Sequence, residues 1–153
     1  MKTSITYTVG SETLQKILMT SIKAKEAYRH LQEQTENPYI QKWLTTKLKS
    51  IDNFILEVQV HLETMGIEPV SISKMQLRIM KLMAELKSIM TRKDDEMVIR
   101  ECLNIDGVYL SSLSNVKRSA VVTDTLYQLY SKQIEAIRRR PIKQMENHNV
   151  LLG

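Results

Sequence analysis

Acidic and imidazole side chains at helical spacing are the residues of this sequence that could perform chemistry. The candidates fall in four separate segments of the chain: Glu26, Glu57, His61, Glu101, Asp106 and Glu135. Glu57 and His61 are four residues apart, as are Glu26 and His30, and residues at that spacing share one face of a helix. Carboxylate oxygen and imidazole nitrogen together suit iron or manganese. One hypothesis is therefore a di-iron or di-manganese carboxylate centre made by Glu26, Glu57, His61, Glu101 and Glu135.

The spacing of these residues departs from the usual pattern of such centres. Di-iron carboxylate proteins built on four helices carry a Glu-x-x-His sequence on two helices and one Glu on each of the others. No Glu-x-x-His occurs in this sequence. The residue three positions after Glu57 is Val60, and the residue three positions after Glu135 is Arg138. We therefore favour a lost or degenerate metal centre in a protein without catalytic residues, and we expect no cofactor.

Inward-facing carboxylates without a metal ion need another cation, because an unpaired buried charge is strongly unfavourable. The stretch "QIEAIRRRPIK", residues 133–143, supplies three arginines, and arginine pairs bidentately with carboxylates. We predict that Arg138 or a neighbour faces inward and pairs with Glu101 or Glu26. Three consecutive residues span about 200° of a helix, so they cannot all face inward. We expect at least two of the arginines to be exposed at the helix terminus, where cations interact favourably with the helix dipole. A nucleic-acid clamp is disfavoured, since Glu135 and Glu146 flank the cluster.

Composition bounds the class of protein. The chain has 153 residues, of which 42% are hydrophobic and 25% charged, and these values suit one domain with a hydrophobic core. Four glycines and three prolines favour helices, and one cysteine suits a reducing compartment, so we expect a cytoplasmic protein. No apolar run approaches the about 20 residues of a membrane span. The net charge of +5 is spread over lysines, such as Lys47 and Lys49, that we place on solvated polar faces.

Capping residues and apolar periodicity divide the chain into helices. Residues 1–10 are predicted to form an extended lead-in, residues 11–145 one helical domain and residues 146–153 a frayed tail. Predicted helix starts are Ser11, Asn37 with Pro38, Asp94 with Asp95, and Thr123 or Asp124. Gly66 is predicted to end the second helix. Gly107, inside a later helix, indicates either close approach of a neighbouring helix or a local bulge.

The connection between the second and third long helices determines the topology. Residues 74–90 form a predicted helix of about 25 Å, which is long enough to carry the chain from one end of a bundle to the other. The two long helices on either side of this crossover would then run parallel. The sequence thus predicts an all-α fold, a four-helix bundle of ferritin-like topology with an extra helical crossover.

A family resemblance supports the same fold. The run "LRIMKLMAELKSIMTRKDDEMVIRECLNID", residues 77–106, resembles the signature region of a bacterial family of ferritin-like four-helix-bundle proteins of unknown function. The residues that carry the resemblance are Leu86, Lys87, Asp94, Asp95, Glu101 and Cys102. It implies a fold and no reaction. We therefore expect a protein that acts through self-association or a protein partner, without membrane or nucleic acid.

Overall fold

The four long helices of the protein are defined in a computed structural model that describes residues 4–67, 74, 77–81, 94–119 and 122–139. They are α1 (Ser4–Gln34), α2 (Pro38–Thr64), α3 (Asp95–Lys117) and α4 (Asp124–Arg138). Within these ranges there is no strand, and the predicted all-α class is confirmed. Lys74 and residues 77–81 are also helical. The rest of the predicted crossover, Arg140 and the predicted tail 146–153 lie outside the described residues.

Side-chain caps begin three of these helices where the sequence predicts. The Asn37 carboxamide oxygen accepts a hydrogen bond from the Tyr39 amide at 3.0 Å, and Pro38 occupies the first turn, where its missing N–H is not needed. Asp94 caps α3 through the Met97 amide at 2.9 Å. Thr123 caps α4 in the same way. Local chemistry alone therefore fixes where these helices start.

The start of α1 corrects the sequence prediction. The helix begins at Ser4 and continues through Gly10 and Ser11, where an extended lead-in and an N-cap were predicted. Once a long helix is nucleated, each further residue adds a backbone hydrogen bond. A single glycine, which disfavours helix by about 1 kcal/mol, does not stop that propagation.

Contacts between the helices define their order and direction. α1 packs against α2 and α3, and α4 packs against the same two helices. Contacts between α1 and α3 pair Ser21 with Tyr109 and Thr35 with Asp95, so these helices are antiparallel. The short joint at residues 35–37 makes α1 and α2 antiparallel as well. It follows that α2 and α3 run in the same direction.

One continuous hydrophobic core fills the space between the helices. The predicted stripe of α2 is buried at Ile40, Leu44, Ile51, Ile55, Val58 and Leu62. Cys102 is fully buried in the same core and forms no disulfide, as its position on an apolar stripe predicts. None of the described helices is long and apolar enough to cross a bilayer.

Gly66 and Gly107 make opposite demands on the backbone. Gly66 follows α2 with a φ of +73°, in the left-handed region, and confirms the predicted helix end. A Cβ added at Gly107 would meet no atom within 4 Å, and α3 is continuous through it. Neither the close approach nor the bulge predicted there is present, so Gly107 contributes only its unfavourable helix propensity.

The same substitution should therefore have opposite effects at these positions. Gly107→Ala is expected to raise the free energy of unfolding by about 1 kcal/mol, because alanine favours the helix interior. Gly66→Ala is expected to lower it by about 1 to 2 kcal/mol, because the left-handed conformation disfavours a Cβ. Urea denaturation followed by circular dichroism measures both. Equal shifts of the same sign would contradict this assignment.

Candidate functional site

A lysine–aspartate ion pair is buried at the centre of the four helices. Lys47 on α2 and Asp106 on α3 are 5% and 3% exposed. The Lys47 Nζ lies 2.9 Å from both carboxylate oxygens of Asp106. It also donates to the main-chain carbonyl of Ile137 at 3.2 Å. The ammonium group thus has three acceptors for its three N–H bonds.

The position of Ile137 explains why a helix carbonyl is available to Lys47. The last four carbonyls of an α-helix have no partner within the helix, and α4 ends at Arg138. This end of α4 also carries the negative pole of the helix dipole, which favours a nearby cation. α4 therefore stabilises the lysine with its backbone alone.

Two aromatic residues complete the surroundings of the ion pair. The Tyr28 hydroxyl donates a hydrogen bond to Asp106. The Lys47 Nζ lies 5.5 Å from the centroid of the Tyr28 ring and 5.0 Å from that of Trp43, within the range of cation–π attraction. Both charges therefore have polar or aromatic partners in place of the water that they lost on burial.

A second layer of polar contacts continues the network along the core. Ser21 donates to the Ile17 carbonyl at 2.7 Å, and its hydroxyl lies 2.6 Å from the Tyr109 hydroxyl, which is therefore the donor of that bond. Ser50 donates to the Gln133 carboxamide oxygen at 3.2 Å, and Gln133 reaches Tyr109 at 3.5 Å. The two layers together involve all four helices.

Helical spacing aligns these residues on the inward faces. Each helix supplies two of them, one or two turns apart: Ser21 and Tyr28, Lys47 and Ser50, Asp106 and Tyr109, Gln133 and Ile137. Residues at such spacings project from one face of a helix. The same periodicity that buries the apolar stripe therefore builds the polar network.

Burial sets the protonation of the phenols. Burial raises the pKa of Tyr28 far above its ordinary value, and the Asp106 charge and hydrogen bond raise it further. Burial also raises the pKa of Tyr109, and its hydrogen bonds with Ser21 and Gln133 partly oppose that rise. Burial raises the pKa of Tyr130 to about 12. At neutral pH these hydroxyls can donate hydrogen bonds, but they cannot act as bases.

The predicted metal ligands are not gathered into one site. Glu26 is buried and lies 3.3 Å from the Arg29 guanidinium. Glu57 is half-exposed and lies 3.5 Å from Lys132, while Glu135 is exposed. His61 and Glu101 are each partly buried. Across the described part of the chain, no three histidine, cysteine or acidic side chains form a group that could hold a metal ion.

Among the described residues, the buried cation at the centre is not the predicted Arg138. Arg138 is exposed at the end of α4, and so is the adjacent Arg139. Lys47, which we placed on a solvated polar face, is buried instead. The spacing of Lys47 could have indicated this burial. Lys47 follows Leu44 by three residues and precedes Ile51 by four, so it lies within the apolar stripe of α2.

Comparison with known proteins identifies a family but no activity. A family described as "Domain of unknown function (DUF2383)" matches residues 10–118. This match includes Tyr28, Lys47 and Asp106 and ends before α4. No curated protein and no solved structure matches the chain.

We expect the contributions of Lys47 and Asp106 to stability to be strongly coupled. Lys47→Met or Asp106→Asn alone should lower the free energy of unfolding by about 3 to 5 kcal/mol, because each leaves a buried charge unpaired. In the double variant, the loss of unfolding free energy should be smaller than the sum of the two single losses, by about 2 kcal/mol or more. Urea denaturation of all four proteins measures this coupling, and additive losses would refute it.

A surface pair supplies the matched control for this cycle. Lys25 and Asp52 lie 2.7 Å apart, but their side chains are 17% and 52% exposed. The same substitutions, Lys25→Met and Asp52→Asn, should give a coupling of about 0.2 to 1 kcal/mol, because solvent screens the pair.

The raised pKa of the buried Tyr130 predicts a loss of stability at alkaline pH. Between the ordinary pKa of 10.0 and the folded value of about 12, the unfolded chain releases the Tyr130 proton while the folded chain retains it. The free energy of unfolding therefore falls as the pH rises through this window. Tyr130→Phe should make the fall shallower by up to about 1.4 kcal/mol per pH unit. Chemical denaturation at pH 9 to 12 tests this, and identical slopes would contradict it.

Proposed function

The chain belongs to the DUF2383 family, a domain of unknown function, and we propose that it is a non-catalytic helical protein that acts through protein contacts. The observation that carries this proposal is the Lys47–Asp106 ion pair, in which the chain itself supplies the cation beside a central carboxylate. A centre neutralised in this way is saturated by its own hydrogen bonds. In this proposal the ion pair has a structural role, and the surface of the protein carries its function.

The topology forms part of this proposal. We infer a four-helix bundle of ferritin-like topology, with a helical crossover between α2 and α3. The parallel directions of α2 and α3 support it, as do the helical positions 77–81 between them. In ferritin-like di-metal proteins, inward carboxylates from four helices bind the metal ions. Here the buried acids Glu26 and Asp106 lie beside Arg29 and Lys47, which supports a degenerate centre.

Exposed apolar side chains support a role in protein contacts. Leu56 and Val60 are 59% and 58% exposed and lie one turn apart on α2. Val108 on α3 is 70% exposed. Contiguous apolar surface is typical of interaction sites, and Leu56 and Val60 are neighbours on one face of α2. The unbridged thiol of Cys102 suits the reducing environment of the cytoplasm, where we place the protein.

Metal analysis of the purified protein tests the proposal. We expect iron and manganese well below one ion per chain by elemental analysis, also after anaerobic incubation with either ion and removal of the excess, because the central carboxylate is already paired. The visible absorption spectrum should show no di-iron band. About two tightly bound ions per chain would overturn the proposal and support the di-iron or di-manganese alternative.

A further inference from the structure

An apolar groove runs along the outer surface between α1 and α3. Its volume is about 320 Å³. The lining residues are Thr20, Lys23, Ala24, Ala27, Asn104, Ile105, Val108 and Tyr109. An apolar cavity of about 150 Å³ accommodates one benzene, so the groove has room for about two aliphatic or aromatic side chains.

Short side chains on α1 create the groove, and longer apolar ones flank it. Thr20, Ala24 and Ala27 follow one another at intervals of about one turn. Val108 projects from the α3 side and is 70% exposed. The groove therefore extends over about two helical turns, or about 10 Å, parallel to the helix axes.

The lining of the groove carries one charged side chain, and its charge is positive. Lys23 is the charged residue among those that line it, and none of them is acidic. Lys16, seven residues earlier on α1, is also exposed. Two copies of the chain joined through this face would each supply a lysine and no acidic lining residue to pair with it, so a second copy is a poor occupant. An acidic partner would be complementary.

We propose that this groove binds an amphipathic helix of a partner protein that carries acidic residues beside its apolar stripe. A helix presents apolar side chains at positions i, i+3, i+4 and i+7, and two adjacent turns of such a stripe match the length of the groove. The acidic flank would pair with Lys23. This inference rests on the proposed function, since it names the kind of contact through which the chain acts.

A pair of synthetic helical peptides tests the inference. Both carry leucine at the same stripe positions, one with glutamate and the other with lysine at the flanking positions. Fluorescence anisotropy of the labelled peptides with the full chain should show about tenfold tighter binding of the acidic peptide, and added salt should weaken that binding.

Matched variants locate the binding surface. Lys23→Glu and Val108→Asp should each weaken binding of the acidic peptide by about fivefold or more. The control changes are Lys49→Glu and Tyr39→Asp on α2, which does not line the groove, and each should change binding of the acidic peptide by less than about twofold. All four positions are exposed, and thermal melting checks that each variant is folded.

Three results would overturn the inference. The first is equal affinity for the two peptides, or equal losses in the groove and α2 variants. The second is dimerisation, measured by sedimentation, that Val108→Asp abolishes, because it would assign the groove to a second copy. The third is saturable binding of dodecanoate without peptide binding, because it would assign the groove to an anionic amphiphile. Failure here with a metal-free protein removes only the groove assignment, whereas two bound metal ions remove the proposed function itself.

Discussion

The rest of the structure depends on the burial of one ammonium group against one carboxylate. Transfer of either ion from water to a protein interior is unfavourable by several kcal/mol, so the pair is tolerated only when good geometry and further hydrogen bonds replace the lost water. Lys47 and Asp106 meet that condition with a phenol from α1 and a backbone carbonyl from α4. The pair therefore requires all four helices in one register. A shift of any helix by one turn would leave a buried charge without its partner.

This requirement also constrains the directions of the helices. The carbonyl that accepts from Lys47 is free because it lies at the carboxyl end of α4, so that end of α4 must lie beside the first half of α2. At the same end of the molecule, the Asp95 carboxylate accepts hydrogen bonds from Thr35 and Asn37. Asp95 is the first residue of α3, and it thereby holds the α1–α2 joint against the start of α3. Two separate polar contacts thus fix the same relative arrangement.

The sequence predicted the features that depend on local chemistry and missed those that depend on distant partners. Asn37, Asp94 and Thr123 cap helices through amides two or three residues away, so their roles can be read from the chain. The burial of Lys47 depends on Asp106, which is 59 residues away, and lysine on its own favours solvent. The direction of the acidic side chains could not be predicted either, because a step of one residue along a helix turns a side chain by about 100°. Glu57 adjoins the buried Val58 and is nevertheless half-exposed beside Lys132.

The family match covers residues of α1, α2 and α3 but none of α4. The matched residues 10–118 contain the three side chains of the central cluster, Tyr28, Lys47 and Asp106. α4 lies beyond the match, and its contribution to Lys47 is the Ile137 carbonyl, which almost any residue could supply. The sequence of α4 could therefore vary without loss of the central pair, provided that its carboxyl end stays in place. The hydrogen bonds of Lys47 and that of Tyr28 to Asp106 are thus all made within the chain. The proposed function assigns recognition to the outer helical faces, where short and exposed apolar residues lie side by side on α1 and α3.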